Sequence, residues 1–158
     1  MEIVEAIKTI LLEQIEGCRQ LLGVLQREKL CLMELHLEGV EAVTKEKDIQ
    51  VLKLKLLEKE RERLLEAFTG QSTSRLKDSG SEPLSLQKLA YLTEDQTFLD
   101  MRSKLISLSQ SIKEINDLNK IMIDRTLGYL RKNNQFLGMM TPGLVPPGSK
   151  GALISREL

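Results

Sequence analysis

The stretch EINDLNKIMIDRTLGYLRKNNQFL, residues 114–137, decides how the rest of the chain is read. At about 100° per residue, Ile115, Asn119, Met122, Thr126, Tyr129, Asn133 and Phe136 fall on one stripe of a helix. Leu118, Ile121, Ile123, Leu127, Leu130 and Leu137 widen the apolar arc to roughly half the circumference, more than a seam between two helices needs. Asn119, Thr126 and Asn133 stand seven apart in its middle, at the heptad position that Phe98, Leu105 and Ile112 hold earlier in the same pattern. The centre of the stripe changes from apolar to polar along one helix.

Composition agrees with a chain of long helices. Apolar residues make up 41% and charged residues 29%, aromatics only 3%, and tryptophan is absent. A core of Leu, Ile, Val and Met with Glu and Lys outside follows from that mixture. At 158 residues the chain has the length of about one domain. Twenty-three basic residues balance twenty-three acidic ones, which supplies no field for nucleic acid or an anionic membrane. The acidic, interrupted start MEIVEAIKTILLEQIEG is unlike a secretory signal and no run reaches a membrane span, so a cytoplasmic protein is expected. Cys18 and Cys31 lie thirteen residues apart on one helical pattern, about 20 Å, too far for a disulfide within the chain.

Working outward, the period predicts an all-α fold: an elongated antiparallel bundle of three long helices plus a short one. The first helix, over 2–38, carries Ile3, Ile7, Ile10, Cys18, Leu21, Leu25, Leu32 and Leu35, interrupted at Gln14 and Glu28. Gly39 supplies a left-handed stop there, with His36 in the last turn facing the helix dipole. The second helix, over 40–68, carries Val40, Val43, Val51, Leu54, Leu57, Leu64 and Phe68, with a solvated Lys/Glu outer face. TGQSTSRLKDSGSEP, 69–83, reads as a connector, LSLQKLAYL, 84–92, as a short capping helix, and Thr93 with Gln96 as a capping box. The last helix covers 94–137, and the Pro- and Gly-containing residues 138–158 form a flexible tail.

Chemistry is sparse. One histidine and two cysteines cannot assemble a metal site, no glycine-rich phosphate loop follows a strand, and the carboxylates alternate with lysines on outward faces. No cofactor, metal or catalytic residue is expected, and scattered aromatics give no nucleic-acid surface.

Two accounts fit the polar-centred arc. Asn119 and Asn133 fix register inside a packed bundle, or the arc is a groove for a partner's amphipathic helix. On the second account Leu118, Asn119, Met122, Ile123, Thr126, Leu127, Tyr129, Leu130, Asn133, Phe136 and Leu137 bind the partner.

The run IKEINDLNKIMIDRTLGYLRK resembles the signature region of the FlgN family of flagellar export chaperones, matching at Asn116, Asn119, Met122, Ile123, Leu127, Tyr129, Leu130 and Arg131. LHLEGVEAVTKEKDIQVLKLKLL is similar to that family's first interhelical corner. The resemblance implies a non-enzymatic cytoplasmic chaperone of flagellar type III secretion. It would bind the C-terminal helices of hook–filament junction proteins and deliver them to the export gate or its ATPase complex, being a monomer or weak dimer when free. A self-associating structural bundle and a nonflagellar secretion adaptor are the alternative readings of the same pattern.

Overall fold

The computed structural model describes residues 2–72 and 84–140. The expected all-α class holds: the elements are α1 (Glu2–Met33), α2 (Leu37–Ser72), α3 (Leu86–Thr93) and α4 (Thr97–Met140). The chain divides into two compact units, one reaching Asn119 and one beginning at Lys120, so that α4 belongs to both.

In the first unit α1 and α2 form an antiparallel hairpin, as the pairs Gln14 with Glu58 and Glu28 with Lys47 show. Phe98 packs with Ile7, Leu11, Leu64, Leu89 and Ala90 at one end, while Asn119 meets Leu25 and Glu28 further along. The stretch of α4 from Phe98 to Asn119 therefore runs parallel to α1 and antiparallel to α2. The short helix α3 closes the Phe98 end through Leu89 and Ala90. Complete burial of Phe98, Ile7 and Leu11 stabilises this end by roughly 1.5–3 kcal/mol per side chain.

The corner between α1 and α2 differs from the expectation. Helix α1 ends at Met33 rather than 38 because Leu35, not Gly39, takes the left-handed conformation, with φ of 53°. The amides of His36 and Leu35 donate to the carbonyls of Cys31 and Leu32, the two bonds of a Schellman ending, so the stop is made with a leucine. Gly39 instead lies in the first turn of α2, where its N–H donates to His36 Nδ1 at 3.0 Å. A Cβ on Gly39 would stand 2.3 Å from that nitrogen and 2.8 Å from Cys31 Sγ. Glycine is thus required by a close approach, and His36 caps the start of α2 by accepting this backbone N–H, instead of facing the end of α1.

The other boundaries shift for equally local reasons. Helix α2 continues past Phe68 to Ser72, with the Thr69 hydroxyl turned back onto the Leu65 carbonyl. Ser85 caps α3 by accepting from the Lys88 amide. The expected capping box does not form, since Thr93 ends α3 and its hydroxyl donates to the Leu89 carbonyl. Asp95 takes over at the front of α4, accepting from the Thr97 amide at 3.0 Å and hydroxyl at 2.7 Å. Its other oxygen meets Lys8 at 2.7 Å, which ties the start of α4 to α1. Helix α4 runs to Met140, three residues beyond the expected end. The rest of the expected tail, 141–158, and most of the connector, 73–83, lie outside the described residues. Cys18 and Cys31 are free and half-buried, and burial pushes the Cys18 thiol above its usual pKa.

Two glycines of α1 separate packing from propensity. A Cβ on Gly17 would fall 2.8 Å from Leu54 Cδ2, whereas one on Gly23 would meet nothing within 4 Å. Gly17→Val is expected to lose about 1–3 kcal/mol in urea unfolding by overpacking the hairpin, and Gly23→Ala to gain about 0.5–1 kcal/mol. Equal effects at the two positions would contradict this packing.

The Lys8 ammonium, with the Thr97 hydroxyl and amide, holds the Asp95 carboxyl down at about 2, against an ordinary value of 3.8. A depressed carboxylate stabilises the fold above its unfolded pKa, and that stabilisation is lost as pH falls through the folded one. Between pH 3.8 and about 2 the wild type should therefore lose more thermal stability than Asp95→Asn does. Parallel pH profiles for the two proteins would show that the contact is not formed in solution.

Candidate partner-binding surface on the fourth helix

The structure separates the two asparagines that share the stripe of α4. Asn119 is 1% exposed. Its Nδ2 donates to the Leu25 carbonyl at 2.9 Å and to Glu28 Oε2 at 2.8 Å. Both partners are acceptors, which fixes the orientation of the amide. Glu28 is fully buried, and its second oxygen receives Lys47 Nζ at 2.6 Å. One carboxylate thus joins α1, α2 and α4. A buried carboxylate needs such partners, because desolvating it unpaired costs several kcal/mol.

The other interruption in the apolar pattern of α1 is a second polar level. Gln14, 5% exposed, donates to Glu58 Oε2 at 2.7 Å and accepts from Arg61, which also pairs with Glu58. Gln14 and Glu28 are two heptads apart on α1, so both polar levels face inward on the same line. Asn119 therefore lies inside the first unit, hydrogen-bonded to α1. Its structural partner, Glu28, was visible in the sequence as an interruption but not as a binding group.

Leu118, on the same arc as the later residues, belongs to the first unit and is 40% exposed. The remaining nine candidate residues, Met122 to Leu137, belong to the second unit and lie on continuous helix. Met122, Ile123 and Thr126 have intermediate exposure, while Leu127, Tyr129, Leu130, Asn133, Phe136 and Leu137 are exposed. Tyr129 reaches 68% and Leu127 47%. Every residue from Arg131 to Met140 is exposed. A helix with no buried face draws little stability from packing, and an apolar arc of this width stays exposed along it.

The polar centre of that arc is narrower than the sequence indicates. The Thr126 hydroxyl donates to the Met122 carbonyl of its own helix at 2.9 Å and leaves its methyl group to the arc. Asn133 alone presents an exposed amide there. Gly128 falls on the opposite side of the helix, and a Cβ there would meet nothing within 4 Å. The lysines and arginines at Lys120, Arg125, Arg131 and Lys132 lie outside the arc and keep the helix amphipathic.

Among the described residues, a groove of about 450 Å³ between α1 and α4 is lined by Leu12, Ile15, Glu16, Arg19, Thr97, Asp100, Met101 and Lys104. Among the described residues no group of His, Cys, Asp and Glu is placed to hold a metal ion, and no helix is long and apolar enough to cross a membrane.

A family model described as FlgN protein matches residues 1–141, which covers both units up to the end of α4. No curated protein and no solved structure matches the chain.

The hydrogen bonds at Glu28 make a contrast between the asparagines measurable. Asn119→Ala should cost about 2 kcal/mol in denaturant unfolding, since it removes a donor from a buried charged group. Asn133→Ala should stay within about 0.5 kcal/mol of wild type, as an exposed substitution does. Equal costs would mean that Asn119 is not inside the bundle.

Proposed function

We propose that this chain, which belongs to the FlgN family of flagellar export chaperones for hook-associated proteins, receives its clients on the apolar arc of α4 between Met122 and Leu137. The family is non-enzymatic and cytoplasmic, and membership implies binding of hook–filament junction proteins. The finer reading concerns how. The client segment is a C-terminal amphipathic helix of the junction protein, laid along the arc with its own three-four anchors against Met122, Ile123, Leu127, Leu130 and Phe136. The observation that carries this is an arc of large apolar side chains left open on a helix whose final ten residues have no buried member.

Physical reasons favour such a client. Ends that are disordered before assembly expose apolar stripes and would aggregate or polymerise early, and folding them onto α4 hides those stripes. Ordering the guest offsets several kcal/mol of contact energy, which keeps the complex weak enough to release its cargo. Met122 and Met140 add adaptable side chains to the arc, suiting guests of unequal shape. Delivery to the type III export gate belongs to the same reading, with the exposed Tyr129 offered at the rim of the arc. The free protein is a monomer or weak dimer.

Calorimetric titration with peptides from the C-terminal ends of the same organism's junction proteins tests this. Saturable one-to-one binding should fall by at least about tenfold in Leu127→Asp and Ile123→Asp, as loss of an anchor worth about 1–2 kcal/mol requires. Helicity and the unfolding midpoint should barely change. Gly128→Ala, on the far side of the helix, should leave affinity unchanged. Unfolding of the Asp variants, or undiminished binding by them, would contradict the assignment, and a dimer that dissolves in Leu127→Asp without any peptide binding would replace it with self-association.

A further inference from the structure

Helix α2 carries apolar residues on two faces, only one of which the bundle uses. Val43 and Leu64 are buried, and Leu54 packs beside Gly17. Ile49, Leu52 and Leu56 lie about a third to half a turn round the helix from Val43 and Leu54, in three-four order, and remain 66%, 59% and 59% exposed. Three large aliphatic side chains in line on an otherwise charged surface are a recognition pattern rather than scattered exposure.

The exposed charges around this line are mostly positive. Lys53 and Lys55 flank it on either side, and Lys45 and Lys59 extend it at its two ends. Between residues 45 and 59 these four exposed lysines face a single exposed acid, Asp48, in a chain whose formal net charge is zero. Lys45 is occupied by Glu41. Other acids of α2 are also engaged, Glu46 by Arg27 and Glu58 by Arg61. Lys53, Lys55 and Lys59 make no ion pair among the described residues.

We infer that this face of α2 docks an acidic amphipathic helix of a partner protein, one that presents apolar residues at three-four spacing between flanking Asp and Glu. The apolar line supplies the anchors, and three unpaired ammonium groups select against a basic or neutral helix. An anionic bilayer would share the charge preference, but three aliphatic side chains with no aromatic among them are too narrow a face to lie in a membrane interface. A second copy of the same face offers lysines where acids are needed. The site is on the first unit and does not depend on the client surface of α4.

Fluorescence anisotropy of the full chain with a helix-constrained peptide bearing Leu at three-four spacing and Glu on both flanks tests the inference. A counterpart with Lys in place of Glu, and phosphatidylglycerol vesicles, serve as comparisons. The Glu peptide should bind saturably and more weakly at high salt, while the Lys peptide should not bind. Affinity should fall on the order of tenfold or more in the double variant Leu52→Ser, Leu56→Ser, and Lys53→Glu, Lys59→Glu should reverse the preference between peptides. Client titration on α4 should be unchanged in both variants, and Leu127→Asp should leave the Glu peptide bound. Equal binding of the two peptides, no binding of either, or loss of the Glu peptide in Leu127→Asp would overturn the inference. Vesicle binding lost in the Leu variant without peptide binding would replace it with a membrane contact, and a dimer lost in that variant would replace it with self-association.

Discussion

The carboxylate of Glu28 sets the constraint on which the bundle depends. It is fully buried, so it must be paired, and its two oxygens are met by Lys47 from α2 and Asn119 from α4. Apolar contacts alone tolerate sliding of one helix against another, because Leu and Ile at three-four spacing pack acceptably in several registers. A buried charge does not, since a slip of one turn would leave it without a donor. The Glu28 level therefore fixes the register of all three long helices at once, and the Gln14 level, with Glu58 and Arg61, does the same for the hairpin lower down.

The same interaction marks the last buried residue of α4. Up to Asn119 its inward stripe holds Phe98, Met101 and Leu105 against the core. From Lys120 onward the helix continues without a buried residue, while its apolar arc persists through Leu127, Leu130 and Phe136. One sequence pattern thus serves two ends. The first half of the helix stores stability in the bundle, and the second holds apolar surface open, which is affordable only because the helix is continuous with an anchored part. Proteins commonly draw binding elements from such low-stability segments.

Much of this was legible in the residues. Four helices, their order and the wide arc follow from apolar spacing, and the two polar levels were present as the interruptions at Gln14 and Glu28. What periodicity does not encode is which faces meet. The partner of Asn119 is ninety-one positions away, and no local pattern joins it to Glu28. Local stereochemistry hid the corner, where leucine rather than glycine adopts the left-handed turn and Gly39 is kept small by the approach of His36 and Cys31. The start of α4 lies later than the spacing suggests because Thr93 and Gln96 match a capping box, while Asp95 has a better donor set in Thr97 and a cation in Lys8. The outer line of Ile49, Leu52 and Leu56 is masked in the sequence because the Lys/Glu alternation around it reads as a solvated face.

Amide hydrogen exchange along α4, with and without a client peptide, tests the division of this helix most directly. Amides from Phe98 to Asn119 should be protected in the free chain, and those from Lys120 to Met140 should exchange much faster until the peptide is added, when they should slow. Uniform protection along the whole of α4 in the free protein, or no slowing beyond Asn119 when peptide binds, would contradict a helix that is half core and half client surface.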